Sequence, residues 1–305
     1  MRMRIRPERA FGGSLPRLLA PSPGAGAPPS PPRGRGSLLS VSCLLPFAFC
    51  LLLSAFCLPS ASAQQPQSPA VPAPPTRAPV VDPKAQALID KIIKTLGGPA
   101  FMGFKTLTTH GRTYSIVDES TAGMAPYTQL MEYPDKRRFT YGKSKPVALI
   151  NNGDQDWEVD QYGTTHQLPV QILRWRVSNY YSLENLLRLR IHEPGVLIQM
   201  GGVDFVDNLP VQVVEVVDAK QVDIKVYVNR TTFLPLRIAY SALNPTTHEQ
   251  DEYADDYSDY KDFDGVMTPM HIGRFINDER VSETFRSSAK YNETYPPGTF
   301  TPTGH

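Results

Sequence analysis

Val211-Gln212-Val213-Val214-Glu215-Val216-Val217, followed after a short break by Val222-Asp223-Ile224-Lys225-Val226-Tyr227-Val228, decides the fold class of this chain. The first run is strongly β-branched, and such side chains fit a pleated surface better than a helix. In the second, Val222, Ile224, Val226 and Val228 alternate with Asp223, Lys225 and Tyr227. A period of two gives one buried face and one wet face, as in a half-buried antiparallel strand. Downstream, Asn229-Arg230 begins a turn into a strand over 234–240. A strand over 248–260 then leads through Asp264-Gly265 into 266–276, and a last one covers 281–291. Upstream, 107–116, 127–133 and 137–141 read as extended. Segments 147–150 and 157–159 flank Asn152-Gly153, a dipeptide suited to a tight hairpin in which both central residues take positive φ. Consecutive strands joined by short turns predict an antiparallel meander.

Two segments break this pattern. Before the strands, Asp82 can cap a helix, Pro83 suits its first position, and Gly97-Gly98 closes it. Ala85, Leu88, Ile89, Ile92, Ile93 and Leu96 form one apolar stripe, opposite Lys84, Asp90, Lys91 and Lys94, so the helix is expected to lie on the sheet. In mid-chain, 169–191 has no strand alternation and reads as one or two helices running from Pro169 to Pro194-Gly195. Here Ile172, Leu173, Trp175, Leu186 and Leu187 are candidates to line an apolar cavity. Arg174, Arg176, Arg188 and Arg190 are candidates to hold a phosphate or carboxylate headgroup. Two readings stand: a mobile lid over a ligand, or a permanent plug that completes the core with its arginines in water.

The three cysteines, Cys43, Cys50 and Cys57, all lie inside the apolar run 38–58. Arg33 and Arg35 precede that run, and Ala61 and Ala63 follow it at cleavage-determining positions. This is a secretory signal pattern, with cleavage expected near Ala63-Gln64. Pro46 and Pro59 interrupt the run, so no stable transmembrane anchor is expected after cleavage. Residues 1–36 read as an extension from a misassigned start, and 64–83 as a Pro/Ala-rich linker. A domain over 84–293 and a tail over 294–305 follow. The mature protein would have no thiol and would reside in a periplasm.

The full chain has 31 Lys+Arg and 30 Asp+Glu. The segment before Gln64 carries seven arginines and one glutamate, which leaves 24 against 29, a net charge of −5. A mildly acidic domain lacks the basic stripe that nucleic acid requires. No Gly-x-Ser-x-Gly elbow and no two-histidine zinc helix occur, and His110, His166, His192, His248 and His271 are scattered. Asp262, Asp264 and Gly265 match part of a calcium loop. Tyr260 and His271 would then occupy its first and twelfth positions, where carboxylates are needed. No catalytic residue, metal or cofactor is expected. The acidic, tyrosine-rich stretch 249–264 is expected to keep its acids solvated at a rim.

Several motifs in order resemble a known family. The helix ending Leu96-Gly97-Gly98, then Lys105-Thr106-Leu107, looks like the start of outer-membrane lipoprotein-sorting proteins. Tyr133-Pro134-Asp135-Lys136-Arg137, Asn152-Gly153-Asp154 with Trp157, and Leu234-Pro235-Leu236-Arg237 resemble their turns and strands. Tyr257-Ser258-Asp259-Tyr260, with Asp264-Gly265-Val266 and Pro269, resembles their closing hairpin. The resemblance spans 84–291. It implies an α+β fold: a strongly curved antiparallel sheet, or unclosed β-barrel, with an N-terminal helix and the mid-chain helices on its concave face. It further implies a non-enzymatic carrier of lipid or lipoprotein acyl chains in envelope biogenesis. The alternative is an envelope sensor or protein-interaction module that uses the acidic tyrosine-rich stretch to meet an envelope protein partner.

Overall fold

The structure, a computed structural model, describes residues 78–244 and 247–302. The signal segment with its cysteines and most of the expected linker lie outside them. In chain order the elements are β1 (Val80–Val81), α1 (Pro83–Leu96), α2 (Pro99–Gly103), β2 (Thr106–Val117), β3 (Ser120–Glu132), β4 (Lys136–Tyr141), β5 (Val147–Asn152), β6 (Gln155–Asp160) and β7 (Gly163–His166). The helices α3 (Pro169–Tyr180) and α4 (Leu183–Arg188) and a 3-10 turn (Arg190–His192) follow. Then come β8 (Leu197–Val206), β9 (Leu209–Val217), β10 (Asp223–Asn229), β11 (Pro235–Leu243), β12 (Gln250–Phe263), β13 (Val266–Ile276) and β14 (Glu279–Tyr291).

Among the described residues the strands form one curved sheet in the order β1-β8-β9-β10-β11-β12-β13-β14-β2-β3-β4-β5-β6-β7. Two meanders, β2–β7 and β8–β14, are joined where β14 pairs antiparallel with β2. The sheet does not close on itself. Its one parallel pairing is at the edge, where Val80 and Val81 meet Leu197 and Ile198, so the end of the expected linker is a strand.

The N-terminal helix forms for the reasons its sequence gives. Asp82 Oδ1 accepts from the Lys84 N–H at 2.8 Å, and Pro83 stands in the first turn. Ala85, Leu88, Ile89, Ile92 and Leu96 are buried. Gly97 ends it at φ 126°, and a Cβ there would stand 2.2 Å from the Gly265 carbonyl oxygen of the β12–β13 turn. Glycine is needed twice over, for its conformation and for the close approach. The main core lies between α1, α2, α4 and the inner face of the sheet. Phe101, Phe104, Leu107, Ile198, Ile224 and Ile238 are among its fully buried members.

Three sequence expectations require correction. The β5–β6 hairpin pairs Asn152 with Gln155, so Gly153-Asp154 is its centre, and only Gly153 (φ 59°) has positive φ there. One glycine at the first central position suffices for a turn whose twist suits the strands. The segment read as a tail is packed: Tyr295 and Phe300 cover Ala148 and Ile150 on the outer face of the sheet. Residues 249–264 are a solvated rim only in part: 250–263 form β12, an internal strand, in which Glu252, Asp259 and Asp262 stay exposed while Asp251, Asp255 and Asp256 are drawn in. Arg274 Nε and Nη2 donate to Asp255 at 2.8 and 3.0 Å, and Arg237 grips both oxygens of Asp256. Asp251 accepts from Asn244 and Asn277.

Candidate ligand-binding face

The inner face can be followed by register, because directly paired residues share a face and every second residue returns to it. Met131 belongs to the main core, and it pairs with Arg137, which pairs with Asn151. The next rungs on that face are Gln129–Phe139–Leu149 and Tyr127–Tyr141–Val147. Tyr127 stacks on Phe139 at 5.3 Å, and Phe139 lies 5.7 Å from Tyr141. Phe139, Tyr141, Val147 and Leu149 are each only half-buried. Inner-face aromatic and aliphatic surface on β4 and β5 therefore remains accessible.

The mid-chain helices divide over this face. In α4, Leu186 and Leu187 are 0 % and 1 % exposed and are part of the packed core with Leu183. Ser182 caps the helix, and Asn185 Nδ2 donates to the carbonyls of Pro134 (2.9 Å) and Asn179 (2.8 Å). In α3 no residue is fully buried. Ile172 and Leu173 line a cleft of about 440 Å³ with Asp156, Trp157, His166 and Arg176. That volume falls within the roughly 300–1,000 Å³ of small-molecule sites. Trp175 packs at the edge of the main core.

The arginines expected to hold a headgroup are mostly engaged. Arg176 Nη2 donates to Asp156 Oδ2 at 2.6 Å, and Asp156 also accepts from Asn151. Arg188 donates to the Phe104 carbonyl and lies over the Phe104 ring. Arg190 pairs with Glu193 and stacks on Tyr180 at 3.9 Å. Arg174 makes no hydrogen bond or ion pair among the described residues, though its charge is felt at Tyr253.

Sequence reasoning missed the inner-face arginines of the strands. Arg137 stacks on Trp175 with its guanidinium 3.8 Å from the ring centre, and its Nε donates to Asn151 Oδ1 at 2.9 Å. Burial, and then the charge of Arg274, hold Arg137 down to about 9. It remains cationic at neutral pH. Arg274 shares the inner face with Asp255, two residues along from the core pair Tyr257–Ile272, and 42 % of its side-chain surface is exposed. Arg286 donates to the Pro269 carbonyl. Burial and the Glu184 carboxylate push the hydroxyls of Tyr133 and Tyr260 well above the usual range. Burial, Asp255 and Glu184 do the same to Tyr257. Thr109 Oγ1 and Tyr127 Oη are buried on this face without a protein partner. An alternation of apolar and charged residues in β4 could have flagged Arg137, since Lys136-Arg137-Arg138 puts the middle residue on the opposite face from its neighbours.

The outer face has a smaller cleft, about 210 Å³, with Ser258, His271 and Arg280 in its wall. His271 Nδ1 lies 3.0 Å from Ser258 Oγ. Its Nε2 is 3.4 Å from Glu283 without hydrogen-bond geometry, and Glu283 pairs with Arg280 at 2.7 Å. A serine nucleophile needs its histidine oriented by a firm second bond, and none forms. Among the described residues no three His, Cys, Asp or Glu side chains gather to hold a metal. No helix among them is long and apolar enough to cross a membrane.

No protein-family model matches the chain, and no curated protein sequence does. Solved structures are similar to it over 71 % of its length. One is a DUF1329 family protein from Desulfovibrio piger, 11 % identical, covered over 96 % of its own chain, with a TM-score of 0.48. Another is a LolA superfamily protein from Nitrosomonas europaea, 16 % identical, covered over 97 %, TM-score 0.45. A third is a putative outer membrane lipoprotein-sorting protein domain from Vibrio parahaemolyticus, 8 % identical, covered over 97 %, TM-score 0.44. The lipoprotein-sorting family that the sequence motifs resemble is thus also named among the structures this chain is similar to.

Proposed function

We propose that the exported domain binds an apolar ligand, a lipid or lipoprotein acyl chain, against the inner face of β3–β5 and beneath α3, without catalysing a reaction. One observation carries this reading. Phe139, Tyr141, Val147 and Leu149 keep accessible surface on the inner side of the sheet, next to a helix with no fully buried residue. An acyl chain leaving water for such a surface gains about 0.8 kcal/mol per buried methylene. Trp175 would close over it and Ile172 and Leu173 would flank it at the β6–β7 edge, while Leu186 and Leu187 stay in the core beneath. Organic extraction of the purified protein followed by mass spectrometry tests the reading. Co-purifying lipid is expected, and a protein that is empty and also ignores a fluorescent fatty acid would overturn it.

Export to a periplasm is part of the same proposal. Fractionation and N-terminal sequencing should find a mature chain beginning at Gln64. A protein partner, the second reading, has a surface at the β8–β9 tip, where Val203 and Phe205 are each 69 % exposed and Leu209 is 47 % exposed. Val203 and Phe205 lie two apart on β8 and share one face, and contiguous exposed apolar surface marks contacts. Phe205→Ser should abolish capture of such a partner and leave lipid content unchanged.

A further inference from the structure

Arg137 forms no ion pair among the described residues. It sits on the inner face, its flat side against Trp175 and its Nε on a neutral amide, Asn151. No hydrogen bond or ion pair engages its two Nη groups among the described residues. The carboxylate nearest in charge, Asp156, is already held by Arg176 and Asn151. A second inner-face cation, Arg274 on β13, has its Nε and Nη2 on Asp255 and is separated from β4 in the sheet by β14, β2 and β3.

A half-buried guanidinium whose Nη groups have no protein partner among the described residues can offer those donors to an incoming acceptor. Orphaned buried hydroxyls, Thr109 Oγ1 and Tyr127 Oη, lie on the same inner face and also await a polar partner. An anion would engage Arg137, whose planar fork with free Nη groups matches a carboxylate or a phosphate bidentately. The rest of the wall is unsuited to a free ion. From Arg137 the strand runs to Phe139 and Tyr141, about 13 Å of aromatic surface at roughly 3.3 Å per residue. Head and tail chemistry stand in series.

We propose that Arg137, roofed by Trp175, holds the anionic head of a single-chain amphiphile whose tail runs along Phe139, Tyr141 and Leu149. This rests on the apolar-carrier reading and adds to it the polarity of the ligand and the end at which it is gripped. The group recognised is a terminal carboxylate or phosphate on an acyl or alkyl chain.

Calorimetric titration of the lipid-stripped protein with three probes of equal tail length provides the test: hexadecanoic acid, its methyl ester and hexadecyl phosphate. Inorganic phosphate is a fourth arm. The acid or the alkyl phosphate should bind about tenfold or more tightly than the ester. Arg137→Gln should remove that preference, bringing the acid and the alkyl phosphate down to the level of the ester. Arg137→Met, which keeps the apolar stem and removes the buried charge, supplies the same comparison if the glutamine variant loses its thermal transition. The tighter of the two anionic probes identifies carboxylate or phosphate as the natural head. Equal binding of acid, alkyl phosphate and ester to the unaltered protein would overturn the head-group site while leaving the carrier reading intact. So would an equal loss of all three in both variants. Failure of every tailed probe would overturn both, whereas inorganic phosphate binding as tightly as hexadecyl phosphate would overturn only the tail.

Discussion

Helices α3 and α4 are neighbours in one 20-residue stretch of similar composition, yet they do different things. α4 drives Leu183, Leu186 and Leu187 into the core, and its Asn185 ties two backbone carbonyls to it. α3 buries no residue fully and is fastened at points: Arg176 to Asp156, Asn179 to the Pro134 carbonyl, and Trp175 onto Arg137. A loosely held turn and a buried one are therefore successive parts of one segment, with Tyr180 and Tyr181 at the join. A hydrophobic stretch says how much surface must leave water, not which turn of it will do so.

The largest effect expected from this contrast is in the plug. Leu186→Ala should cost about 2–5 kcal/mol of stability, the range for a fully buried leucine, measured by denaturant unfolding. Ile172→Ala in α3 should cost less than about 1 kcal/mol and instead weaken lipid binding. Equal losses at the two positions would erase the distinction.

Next comes the join. Burial, then hydrogen bonding to Glu193, pushes the Tyr180 hydroxyl up to about 12, while burial and Asp218 raise Tyr181 further. Unfolded tyrosines ionise near 10. The folded state thus holds more protons than the unfolded state above that value, so stability is intact below about pH 10 and falls as pH rises from there through 12. Thermal midpoints between pH 8 and 12 should show the decline. Tyr181→Phe should soften that alkaline dependence.

A smaller effect is expected at the fastening of α3. Arg176→Ala leaves the buried Asp156 with only Asn151, at a cost of about 1–3 kcal/mol, because the arginine itself is 44 % exposed. Its sharper signature is local: amide exchange over 169–180 should accelerate while 183–188 stays protected. The smallest is Ser182→Ala, about 0.5–1 kcal/mol for a lost helix cap, which should loosen α4 alone.

Much of the fold was legible in the residues. The strand 266–276 and the capped helix from Pro83 were read with their bounds, because side-chain period and end signals are local. The acidic stretch was not. Asp255 and Asp256 are adjacent in sequence but point to opposite faces, and each meets an arginine 19 residues away on a different neighbouring strand. A run of carboxylates says nothing about partners that arrive by pairing. The same limit hid Arg137, which in sequence is one of three consecutive basic residues and in structure is the inward one.

The sequence by itself determined that this chain is a meander of half-buried strands with an amphipathic helix before it and an apolar helical break within it. Those features follow from periodicity and turn chemistry within a dozen residues. Only the tertiary structure decided that β14 lies beside β2, which puts β7 at one end of the sheet and β8 toward the other. The connection between them must therefore pass over the hollow, and for that reason 169–191 covers the inner face. That outcome is set by which distant edges meet, a long-range choice that no local pattern encodes.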